Sequence, residues 1–105
     1  MYGYELNTGL DGIYFKLEEN APESILSLVL EKRSVSRITG FRVGHAVSDA
    51  PGIENWYYTY IVIHIGNDVY IVQAYRAYLP QVIYQRLCVG NSWSGNWFVF
   101  EGKSL

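Results

Sequence analysis

The sequence predicts an all-β domain, a small antiparallel β-sandwich or curled sheet built from consecutive hairpins, and three observations carry that reading. Trp56–Ile65 (WYYTYIVIHI) and Val69–Tyr78 (VYIVQAYRAY) are β-branched and aromatic runs joined by Gly66-Asn67-Asp68, the signature of a tight hairpin. The pattern recurs in Val82–Val89 (VIYQRLCV) and Trp93–Phe100 (WSGNWFVF), separated by Gly90-Asn91-Ser92. The third observation is compositional: 105 residues, 50% hydrophobic and 17% charged, form a single domain over 1–105 with a core of its own and exclude disorder. The 10 Tyr, 4 Phe and 3 Trp exceed what a core of that size takes in, so some rings are expected at a surface or interface.

Taken in chain order, Gly12–Leu17 (GIYFKL) is a short strand after the turn-like LNTGLDG. Ser24–Arg33 (SILSLVLEKR) has two readings. Pro22 and Glu23 favour a short helix within 22–34, whereas Leu26, Leu28 and Leu30 alternate with Ser27, Val29 and Glu31 as in a strand. An internal echo tips the segment to strand. Gly12 leads to Asn20-Ala21-Pro22 as Gly40 leads to Asp49-Ala50-Pro51, so 11–33 reads as a partial repeat or an extension. Gly40–Gly44 (GFRVG) is the next strand, and the two hairpins follow. Pro80 between them lacks a ladder donor and marks the crossover.

Alternation separates Tyr57, Thr59, Ile61, Ile63 and Ile65, an aliphatic set expected in the core, from Trp56, Tyr58, Tyr60, Val62 and His64. A two-residue loop places Val69, Ile71, Gln73, Tyr75 and Ala77 beside the second set, and only an odd-length loop inverts this. The outcome is a face of Trp56, Tyr58, Tyr60, His64, Gln73 and Tyr75, apolar in body and polar at its tips, suited to a subunit interface or ligand platform. The competing reading makes it a second buried layer. In the last hairpin a Gly90-Asn91 turn sets Arg86 opposite Gly95 and between Trp93 and Trp97, where a guanidinium across the rings contributes about 0.5–2 kcal/mol. Burying an indole contributes more, at most about 4–6 kcal/mol each, so these three residues are expected to stabilise the hairpin first.

Catalytic and cofactor chemistry finds little footing. The formal charge of −2, with no basic cluster denser than Lys32–Arg33, argues against nucleic acid. Glu18 and Glu19 are adjacent, so on a strand they point to opposite faces and cannot work as a paired acid and base. His45/Asp49 and His64/Asp68 share a spacing that zinc could use, but both Asp residues sit where turns want Asp, and no metal or other cofactor is expected. The serines lack a nucleophile elbow, no glycine-rich phosphate loop is present, and Cys88 reads as a buried, inert thiol. A lone cysteine forms no intrachain disulfide. No signal peptide and no apolar run approaching ~20 residues is present, so neither secretion by the general route nor membrane insertion is expected.

From about residue 38 to 100 the order of features resembles the pyocin-knob family of phage and R-type pyocin tail fibres. The residues concerned are TGFRVGHAVSDAPG, the aromatic strand WYYTYIVIHIGND, then VYIVQAYRAYLPQVIYQRL and GNSWSGNW, with the DAPG turn, the YQR strand and the W-S-x-x-W ending the most specific. The resemblance implies a β-rich, non-enzymatic knob domain in the virion tail, near the distal end of a homotrimeric fibre. Its roles would be host attachment by receptor binding, to a bacterial cell-surface glycan for instance, or fibre assembly against another fibre segment. Residues 11–33 fall outside the knob pattern, and no collagen-like, β-helical or coiled-coil shaft precedes it, so a fragment or a freestanding relative is expected. The Trp56/Tyr58/Tyr60/Tyr75 face is the expected trimer surface. A monomeric carbohydrate-binding module, with exposed aromatics stacking on sugar rings, is the alternative.

Overall fold

In the computed structural model the chain forms one open seven-stranded sheet whose spatial order follows the sequence. The structure describes residues 4–5, 12–44, 47–52, 57–76 and 79–105, and for 4–5, 12–14 and 16–17 the backbone alone. The elements are β1 (Tyr4–Glu5), β2 (Gly12–Glu18), α1 (Ile25–Lys32), β3 (Ile38–Val43), β4 (Tyr58–Gly66), β5 (Val69–Arg76), β6 (Val82–Val89) and β7 (Ser92–Glu101). The all-β class built from consecutive hairpins is therefore present, and the described strands form a single open sheet. All neighbours are antiparallel except β2 and β3. These two are parallel because α1 carries the chain back between them, as parallel pairing requires.

Residues 25–32 are helical, which overturns the strand reading of Ser24–Arg33. Ile25, Leu28, Val29 and Lys32 form the buried stripe at helical spacing. Ser24 caps the helix in a capping box: its Oγ accepts from the Ser27 N–H at 3.0 Å, and the Ser27 Oγ accepts from the Ser24 N–H at 3.3 Å. A second cap comes from a distant loop. Asp49 accepts the Ile25 N–H on Oδ1 at 2.8 Å and the Leu26 N–H on Oδ2 at 2.9 Å, which satisfies two orphan donors. At the far end Lys32 lies 4.2 Å from the Phe15 ring centroid and 3.5 Å from Glu18, tying the helix to β2. The echo between the two halves is consequently not a structural repeat, since one copy runs from strand into helix and the other from strand into strand.

The helix covers one face of the sheet, here the inner face. Ile25, Leu28 and Val29 pack on Phe41 and Val43 of β3, Tyr58, Tyr60 and Val62 of β4, and Val72 and Ala74 of β5. Phe41 stacks on Tyr60 with centroids 5.4 Å apart. Each fully buried Val, Ile, Leu or Phe side chain contributes roughly 1.5–3 kcal/mol, and Ile25, Val29, Phe41, Val62 and Val72 are of that kind.

The β4–β5 hairpin has the register that an odd-length connection produces. Gly66 pairs with Val69 and His64 with Tyr70, so Ile65 is an extra residue, and Asp68 takes a left-handed φ of 55°. One unpaired residue reverses the parity along the whole of β5. Thr59, Ile61 and Ile63 therefore pair with Tyr75, Gln73 and Ile71, away from the helix. The aliphatic set expected in the core is half-buried or, for Tyr57 and Ile65, exposed.

Candidate functional site

Two features stand out from the sheet, and the sequence-predicted residues divide between them. Tyr58 and Tyr60, at the centre of the expected interface, are 2% and 1% exposed beneath α1 and cannot meet a partner. Trp56 lies outside the described residues. His64 is exposed and stacks on Tyr70 at 4.8 Å. Gln73 and Tyr75 lie on the opposite face, so the six residues expected to share a surface do not. The competing reading, a buried layer, describes Tyr58 and Tyr60. Burial pushes the Tyr60 phenol far above its ordinary value, with Tyr58 and the negative charge of Asp49 adding to the effect.

The first feature is a knot around Asp49 on the inner face. Besides capping α1, Asp49 Oδ2 accepts the indole N–H of Trp93 at 3.0 Å, and its main-chain oxygen accepts the indole N–H of Trp97 at 2.8 Å. The two rings lie 5.5 Å apart. Arg86 sits over Trp93 at 4.5 Å and 5.9 Å from Trp97, and its Nε–H donates to the Gly95 carbonyl at 2.9 Å. Gly95 has φ 85° beside the irregularity between Gln85 and Leu87, which brings the guanidinium across both indoles. Burial lowers the Arg86 pKa, opposed by Asp49. Asp49, Arg86, Trp93 and Trp97 thus meet at one place. Both indole N–H groups are spent on the loop carrying Asp49, so the knot is built for packing.

A parallel tie closes the other end of the last hairpin. Arg33, just past α1, donates to the Gly90 carbonyl and to Asn91 Oδ1, the latter at 2.8 Å, and lies over the Tyr70 ring. Gly90 takes φ 64° at the first turn position, as a two-residue hairpin demands. Nearby Cys88 is buried, and burial raises its thiol pKa against the opposing charge of Arg33, so it is held protonated.

The second feature is the outer face of the sheet, which the sequence reading missed because it assigned these aliphatics to the core. Cross-strand rows define it. One row is Ile38, Ile63, Ile71 and Leu87, and the next is Gly40, Ile61, Gln73, Gln85 and Phe98. Along the middle runs a polar ladder in which Tyr75 Oη–H donates to Gln73 Oε1 at 2.8 Å and Gln73 Nε2–H to Gln85 Oε1 at 3.0 Å. Phe98 and Phe100 on β7 are 66% and 51% exposed. Among the described residues of β3 to β7, Arg42 is the charged side chain on this face, at its rim, and no helix or strand packs over it.

Among the described residues no group of three or more His, Cys, Asp or Glu converges to hold a metal ion, and no helix is long and apolar enough to cross a membrane. Among the described residues, two open hollows that involve His64 are lined by Arg37, Ile38, Ile63, Ile65, Gly66 and Asn67, without a carboxylate in either lining. Comparison of the chain with protein families, curated proteins and solved structures finds no match.

Proposed function

We propose that the chain is a non-catalytic interaction domain of the tail-fibre type, serving host attachment or fibre assembly in a virion tail through its outer sheet face. The observation that carries this is the uncovered apolar face across β3 to β7, opposite a face already filled by α1. The resemblance of residues 38 to 100 to the pyocin-knob family supplies the tail-fibre setting. The trimer surface expected at Tyr58 and Tyr60 is replaced by the outer face. The test is binding of labelled chain to a panel of bacterial envelopes, alongside its solution mass, for the native chain and Ile61→Glu. Face-dependent binding to an envelope, or face-dependent association, is the expected result. A chain that binds no envelope and stays monomeric at tens of micromolar sinks the reading.

The carbohydrate-binding alternative places ligand on exposed rings, and among the described residues those are Tyr57, Phe98 and Phe100. Trp93 and Trp97 are tied to Asp49, and ligand-observed NMR is expected to show no change across a panel of cell-surface glycans at millimolar concentration. A saturable shift would favour the sugar-binding module instead.

A further inference from the structure

Resting on the proposal that the outer face is the contact surface, we infer that its occupant is a second copy of this chain, packed sheet against sheet about a two-fold axis. Three observations fit that occupant. Among the described residues of β3 to β7 the face lacks charge inside its rim, and an uncharged apolar surface is complementary to itself, as an isologous contact requires. Its size fits too. Five strands ~4.8 Å apart and roughly 20 Å long present on the order of 500 Å² in projection, so two copies bury about 1,000 Å², the threshold of a specific interface.

The third is the polar ladder. Tyr75, Gln73 and Gln85 satisfy one another, so covering them strands few polar groups. The ladder ends on the Gln85 carboxamide, whose amino group is a donor and whose oxygen has a second lone pair. About a two-fold axis through this row, each Gln85 donates to its mate and accepts from it. The pair fixes the register of two faces whose aliphatic rows would otherwise slide. Sheets stacked this way lie ~10 Å apart with strands inclined by about 30°.

Sedimentation equilibrium of the full chain tests this. The expected result is a dimer whose dissociation constant rises at least about 100-fold in Ile71→Glu, which sets an unpaired carboxylate between Ile63 and Leu87. Should Ile71→Glu fail to fold, Gln85→Cys serves in its place. Cys88 is buried, so the new thiol is the accessible one, and a short bismaleimide is expected to give covalent dimer from Gln85→Cys and none from the off-face Lys103→Cys. A monomer at every concentration overturns the pairing, as does an oligomer indifferent to Ile71→Glu that fails to cross-link at position 85. A monomer that still binds envelopes through the face overturns the pairing but leaves the interaction-domain reading standing.

Discussion

At the scale of single residues, Asp49 has the widest reach among the described residues. Its carboxylate accepts from two helix N–H groups and one indole, while its main-chain oxygen holds the other indole. Asp49→Ala removes the first three bonds and leaves the fourth. Losing a cap costs about 1–2 kcal/mol and stranding a part-buried indole N–H about 1–3, so a loss of roughly 2–5 kcal/mol in urea denaturation is expected. Trp97→Phe should leave the cap intact, and a double-mutant cycle should show coupling of Asp49 with Trp93 larger than with Trp97. Equal couplings would mean the carboxylate is not the shared acceptor. Two buried groups set the alkaline limit. Cys88 and Tyr60 both have raised pKa values, so the folded state holds their protons more tightly than the unfolded chain does. Their contribution is complete below the unfolded values of about 8.5 and 10 and is lost as pH rises beyond them, by up to ~1.4 kcal/mol per unit for each group. Thermal melts from neutral to strongly alkaline pH should be flat until about 8.5 and then fall. In Cys88→Ala the fall should begin nearer 10, and an unchanged onset would remove Cys88 from the account.

At the scale of elements, one residue of surplus decides which face of a hairpin is the core. The strands and turns of β4 to β7 were legible because alternation and turn chemistry are local. The parity of β4 against β5 was not, since Gly66-Asn67-Asp68 permits both an even and an odd connection and Ile65 drops out of the ladder. The aliphatic β4 set looked more core-like than the Tyr set, and packing against α1 chose the Tyr set instead. The helix was ambiguous for a related reason: its second cap is supplied by Asp49, a partner that spacing within 24–33 cannot show. By contrast, the approach of Arg86 to Gly95 and the indoles was legible, because the Gly90-Asn91 turn fixes that end of the ladder. The same hairpin offers a test at this scale. Gly95 has φ 85° and nothing within 4 Å of where a Cβ would stand, so Gly95→Ala should cost only the left-handed backbone penalty of about 1–2 kcal/mol. A larger loss in chemical denaturation would mean that the side chain crowds Arg86.

At the scale of the whole molecule, the charge distribution and the apolar surface are separate, and that separation makes the nature of self-association measurable. Among the described residues of β3 to β7, the charged side chains lie away from the middle of the outer face, where Ile61, Ile63, Ile71 and Leu87 surround a neutral ladder. Association driven by such a face is governed by water released from apolar area, with little Coulomb contribution. Raising the salt from low ionic strength to about 0.5 M should therefore change the dissociation constant less than about 2-fold, since the rows in contact carry no charge for the added salt to screen. Heat capacity is the more demanding test. Burying on the order of 1,000 Å², about two-thirds of it apolar, gives ΔCp near −0.2 kcal/mol/K once the opposing polar area is included. Dilution calorimetry at several temperatures should show a heat of association growing more exothermic on warming with that slope. A slope near zero together with a steep salt dependence would place the contact on the charged rim, at Arg42 and its surroundings, and would take the apolar rows out of the interface.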